Sequence, residues 1–226
     1  MVKESIKQIV LKEMRNPEIY INEVLPYVES RIPYIFGVVC EKNWSINQWQ
    51  PDETFGDQIG QKTVLISVRM FDLWETAVID TLAKHLERFG VKVESSHDAV
   101  GDLIIFFPNG DKMIWEIKTS QGENSFTGAT HSSSKCNNYI LINYSIDRDM
   151  KLSLKKNKNF IKDIAVFVWD DMEAKWSGEP SKNNSFTTLK IPSEILEKRP
   201  EIIVVGKLES KKKWCTFIRE PSANYH

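Results

Sequence analysis

Asp102, Glu116 and Lys118 are residues whose types and spacing could do chemistry: thirteen positions separate the aspartate from a Glu-Ile-Lys triplet. Two carboxylates brought together make a hard, all-oxygen site suited to Mg²⁺. A lysine two residues from one of them can orient or activate a water and stabilise negative charge. Hydrolysis of a phosphodiester needs these parts, because the attacking hydroxide, the pentavalent phosphorus and the leaving oxygen must all be stabilised. Glu-x-Lys alone says little, since it occurs by chance on many solvent-facing strands, where it serves only solubility. An aspartate at the head of a neighbouring hydrophobic strand makes the pattern far narrower.

The local sequence supplies that neighbour. Leu103 to Phe107 reads as a buried strand beginning just after Asp102, and Lys112 to Lys118 as a strand alternating between an apolar and a polar face. Pro108-Asn109-Gly110-Asp111 forms a turn between them, so the two pair as antiparallel neighbours. In the second strand Met113, Trp115 and Ile117 point one way, and Ile114, Glu116 and Lys118 the other. Upstream, Phe71, Trp74, Val78, Leu82, Leu86 and Phe89 recur at helical spacing, with Ile79 widening the stripe, and Gly90 ends the helix. Glu75 stands at the edge of this stripe, either as a plain surface carboxylate or as a third acidic group reaching the site; Asp72 and Asp80 are weaker substitutes. Val91 and Val93 begin a short extended segment.

The polar stretch from Thr119 to Lys135 leaves the strand of Glu116 and Lys118 directly and has little periodicity. Its Gln121, Asn124, Thr127, Thr130, His131, Ser133 and Lys135 could contact phosphates or base edges, although the same composition also makes an ordinary loop. Tyr139 to Tyr144 reads as a third core strand and Ile164 to Trp169 as a fourth, interior one. Between them Lys151, Lys155, Lys156, Lys158 and Lys162 lie without an intervening acid, as a phosphate track or a solvated face. Lys211 to Lys213 form a second basic run.

Residues 1–35 read as two helical segments broken at Asn16-Pro17, with Pro26 and Pro33 limiting the regularity of the second. Residues 36–64, rich in Trp, Gln, Gly and Asn, read as a packed loop region or an arm. Beyond Trp169 a long connection leads to a short helix at 192–198, opened by Pro192, and to a final hairpin of 202–208 and 214–218.

The 226 residues suffice for a core without disulfide or metal staples, and the expected organisation is one domain over 1–226. Its catalytic core is 71–169, with a helical or arm region at 1–64 and an elaboration at 170–226. The chain is 41% hydrophobic and 27% charged, as in globular proteins. Its net charge of −1 makes no general case for nucleic acid, but a cleft needs local rather than total positive charge. Three distant cysteines read as reduced thiols, and with neither a signal-like N-terminus nor an apolar run of roughly 18 residues the expectation is a cytoplasmic protein without membrane contact. The four histidines show no zinc spacing, and no Walker-type loop is present. A thiol hydrolase built on Cys136 and His131 is disfavoured, because Cys136 opens a core strand.

Asp102, the thirteen-residue interval and Glu116-Ile117-Lys118, preceded by a helix carrying Glu75, resemble the catalytic core of the PD-(D/E)xK nuclease superfamily. Within it the chain most resembles an orthodox Type II restriction endonuclease. Gly101 departs from the proline in the family's name, at a variable, non-catalytic position. The resemblance implies an α/β (α+β) fold, a restriction-endonuclease-like core with a central mixed β-sheet flanked by helices. By the same resemblance Asp102 and Glu116 bind Mg²⁺, Lys118 positions or activates water, and Glu75 is an additional metal carboxylate. It further implies a homodimer on double-stranded DNA with a short palindromic site, and a cognate DNA methyltransferase protecting the same site. The competing expectations are a structure-selective or repair nuclease with this core, and a non-catalytic DNA-binding protein.

Overall fold

A capping box starts the first helix. In the computed structural model, which describes residues 5–32, 58–96, 101–121, 125–129, 136–146, 160–172, 186–191, 193–208, 214–215 and 217–218, α1 (Ile6–Met14) opens with the Ser5 hydroxyl accepting from the Gln8 N–H while the Gln8 side chain takes the Ser5 N–H. Asn16 caps the next helical segment and Pro17 occupies its first turn, so the Asn-Pro break separates two helices as expected. That segment, α2 (residues 17–32), contains a π-helical turn at Tyr20–Val24. There the Leu25 N–H donates to the Tyr20 carbonyl, five residues back, just before Pro26, whose nitrogen has no hydrogen to donate.

The helix expected from Phe71 begins earlier. α3 spans Gln58–Leu86, continues as a 3₁₀ turn through Phe89, and stops at Gly90 with φ 78°. The last seven residues of the stretch expected as loop or arm, 58–64, are therefore helical, while 33–57 lie outside the described residues. Gly60, Thr63 and Val64 depress helix propensity and hide the signal; once the amphipathic half has nucleated, extending it is cheap.

Eleven strands follow among the described residues: β1 (Lys92–Ser95), β2 (Leu103–Phe106), β3 (Lys112–Gln121), β4 (Ser125–Ala129), β5 (Tyr139–Ile146), β6 (Ile161–Trp169), β7 (Phe186–Lys190), β8 (Ile203–Val205), β9 (Lys207–Leu208), β10 (Trp214–Cys215) and β11 (Phe217–Ile218). The helix α4 (Ser193–Lys198) precedes β8. The central sheet runs β1-β2-β3-β5-β6-β11, with β8 also pairing β6. Only β3 and β5 are parallel there; the other pairs are antiparallel, so the sheet is mixed and the fold is α+β. β6 is interior, as its apolar sequence implied.

Each face of the sheet carries a core. Trp74, Val78 and Leu82 of α3 pack with Trp115, Ile117, Ile140, Ile142, Val166 and Val168, joined by Val10, Met14 and Tyr20 from the first two helices. On the opposite face Tyr139, Leu141, Phe167 and Trp169 pack with Phe126, Ile191, Leu196 and Ile202. Each fully buried large apolar side chain contributes about 1.5–3 kcal/mol, so the central strands are the firmest support in the molecule. Asp170, at the end of β6, joins Arg15 and Arg199 in an ion-pair clamp, with Arg199 Nη2 at 2.6 Å. Arg15 also donates to the Val168 carbonyl, which ties the end of α1 to the sheet.

Two expectations are corrected. The polar stretch after Lys118 is not simply a loop: β3 runs on to Gln121, and β4 forms an antiparallel ribbon with β7, from Ser125 opposite Lys190 to Ala129 opposite Phe186. Pairing with a segment some sixty residues away leaves no local periodicity to read. The final hairpin is subdivided, with β9 and β10 pairing each other while β8 and β11 each pair β6.

Candidate active site

β3 changes partners in its middle. Lys112–Trp115 pair with β2 on one edge, whereas Glu116–Gln121 pair with β5 on the other. Glu116 and Lys118 thus begin where β2 leaves the strand. The turn ahead of β3 is as expected, with the Gly110 N–H donating to the Phe107 carbonyl and Gly110 at φ 89°.

Asp102 occupies the edge that β2 vacates. Its N–H donates to the Trp115 carbonyl (2.9 Å), and its Oδ2 accepts the Ile117 N–H (2.7 Å). Gly101 permits this approach. It has φ 148°, and a β-carbon there would stand 2.5 Å from Ile114 Cγ2 and 3.0 Å from the Trp115 carbonyl oxygen. A proline, fixed near φ −65°, does not fit this conformation. The departure at Gly101 therefore has a local reason.

Lys118 Nζ makes an ion pair with Glu116 Oε1, lies 3.9 Å from Asp102 Oδ2 and sits 5.7 Å from the centre of the Phe71 ring. Glu116 is only 5% exposed and Lys118 9%, so the pair is not a solubility feature of an exposed strand. Charges of this kind are expensive to bury and are kept where partners compensate them or chemistry needs them.

Glu75 reaches this neighbourhood from α3. Its half-buried carboxyl is pushed up to about 7, first by desolvation and then by the negative charge of Asp102; Lys118 opposes the shift, and Asp72 and Glu116 add to it. Asp72 is exposed. Asp80 is not brought to the site: its Oδ2 accepts from the Tyr27 hydroxyl (3.5 Å) of α2. The Cys136 thiol is raised to about 11, chiefly by burial, and is therefore protonated near neutral pH, which removes it as a nucleophile.

Of the DNA-contact candidates, Gln121 ends β3 and Thr127 lies in β4 opposite Thr188. Asn124, Thr130, His131, Ser133, Lys135, Lys155, Lys156 and Lys158 lie outside the described residues. Lys162 is exposed near the start of β6. Asn138, which sequence reasoning missed, donates from Nδ2 to the Ile114 carbonyl (2.8 Å), and its own carbonyl accepts the Glu116 N–H (2.9 Å). Two consecutive asparagines before an apolar strand were the available signal.

The donor set suits a small, hard cation. Asp102 and Glu116 already bracket a positive charge, the Lys118 ammonium, and Glu75 is within electrostatic range of all three. Among the described residues no three His, Cys, Asp or Glu side chains form a ready metal cage. Among those residues, too, no helix is long and apolar enough to cross a membrane. No protein-family model matches this chain, and no curated protein matches it.

Proposed function

We propose that the protein is a Mg²⁺-dependent, site-specific endonuclease that hydrolyses phosphodiester bonds of double-stranded DNA at a short palindromic sequence. One observation carries this reading: a buried Lys118 in contact with Glu116 and 3.9 Å from Asp102, where one strand exchanges partners. Asp102 and Glu116 would hold Mg²⁺, with Glu75 as a further carboxylate. The ion supplies positive charge to the phosphate and acidity to a water when bound.

The side chains divide the remaining work. Asp102 is fixed by the Ile117 N–H, so its carboxylate is held beside Lys118 without a separate ordering cost. Lys118 places a positive charge beside the reacting phosphate, where it orients the attacking water and opposes the charge that develops as the new P–O bond forms and the leaving oxygen departs. The β4–β7 ribbon leaves the catalytic strand directly, and a two-stranded ribbon has the width of the DNA major groove. A homodimer gives each strand of a two-fold site an equivalent catalytic centre, and a methyltransferase of the same specificity would spare host DNA. Such a protein acts in the cytoplasm, where a free thiol such as that of Cys136 stays reduced.

Replacing Asp102 by Asn tests the assignment. It keeps the side-chain size and an acceptor for Ile117, and removes the charge. Cleavage is expected to fall by about a thousandfold or more, with duplex affinity measured without divalent metal changed by about twofold or less. Unaltered cleavage contradicts the proposal.

A further inference from the structure

The partner exchange in β3 leaves a gap on each edge, and a side chain fills each one. Backbone groups of Trp115 and Ile117 face the β2 edge, where the Asp102 carboxylate takes the Ile117 N–H that no strand residue reaches. Backbone groups of Ile114 and Glu116 face the β5 edge. There β5 starts opposite Glu116, one rung too late to serve the Ile114 carbonyl. The Asn138 carboxamide supplies that rung at 2.8 Å, and the Cys136 thiol donates to the same oxygen at 3.2 Å.

Asn138 is itself held. Its Oδ1 accepts the Asp171 N–H (3.1 Å), which links it to the turn after β6, beside the Arg15–Asp170–Arg199 clamp. Its carbonyl accepts the Glu116 N–H (2.9 Å) and, 3.1 Å from the Cys136 sulfur, shares that thiol's single hydrogen with the Ile114 carbonyl. The residue therefore bonds β3 both at Glu116 and two residues before it, from a segment anchored in the second core.

We propose that Asn138 is a positioning residue for Glu116, the counterpart on the β5 edge of the anchoring that Asp102 provides on the β2 edge. The assignment rests on the nuclease reading above. Without the carboxamide the Ile114 carbonyl loses its main partner and β3 can tilt just ahead of Glu116, shifting the Glu116 carboxylate relative to Asp102 and Lys118. Displacements of about 1 Å in such sites are costly to rate while leaving distant binding surfaces intact.

Asn138→Asp keeps the acceptor for Asp171 and removes the donor to Ile114; Asn138→Ala removes both. For each variant three quantities decide: the single-turnover cleavage rate at saturating duplex with Mg²⁺, Mn²⁺ affinity from the electron paramagnetic resonance of the free ion, and duplex affinity without metal. The expected result in folded protein is a loss of about tenfold to a hundredfold in both rate and Mn²⁺ affinity, with duplex affinity within about twofold of wild type. A wild-type rate and Mn²⁺ affinity in the variants, or a loss no larger than the loss of folded protein by thermal unfolding, overturns the assignment. A wild type that neither cleaves nor binds Mn²⁺ overturns the nuclease reading and this assignment together. A wild type that does both, beside variants that match it, removes Asn138 alone.

Discussion

Lys118 sets the electrostatics of the site at the scale of single residues. Its ammonium pairs with Glu116, lies near Asp102 and tempers the repulsion that Glu75 meets there. Burial and Asp102 still prevail and raise Glu75 from 4.5 to about 7. Between those values the folded chain holds a proton that the unfolded chain has released, so stability falls as pH rises through that window and levels off above it. Glu75→Gln removes this titration. In EDTA, its Tm advantage over wild type should therefore grow between about pH 5 and about pH 7 and then stay constant. An advantage that is the same at both ends of that range would show that Glu75 is not held as described.

At the scale of elements, the hairpin from Asp102 to Lys118 was legible because its information is local. The apolar run after Asp102, the Pro-Asn-Gly turn and the alternation from Met113 to Lys118 are all properties of adjacent residues. Burial of Glu116 and Lys118 was not legible, since it depends on β5 covering the strand and on Phe71 of α3, elements far apart in sequence. The first half of α3 was hidden by residues of weak helix propensity, and β4 by a partner far along the chain. Gly101 belongs to this scale as well. In the sequence it is a departure from a motif; in the fold it is the contact that lets the segment before β2 lie against β3. Gly101→Ala should lower stability by about 1–3 kcal/mol through strain and collision with Ile114, visible as a lower Tm. An unchanged Tm would show that the segment can move aside at no cost.

At the scale of the whole molecule, a mixed sheet with a core on each face holds one charged cluster where its central strand changes neighbours. The net charge of −1 gives no hint of this, because the cluster is a local arrangement of opposite charges and partly cancels in the total. Nor would composition reveal the two-fold substrate proposed for the protein. Sequencing the ends of the products from a phage genome incubated with the purified protein, in Mg²⁺ and in EDTA, decides whether the protein is a site-specific endonuclease. Discrete fragments in Mg²⁺ alone, all ending within one short palindrome, are expected; intact DNA under both conditions, or ends sharing no sequence, would contradict the endonuclease reading.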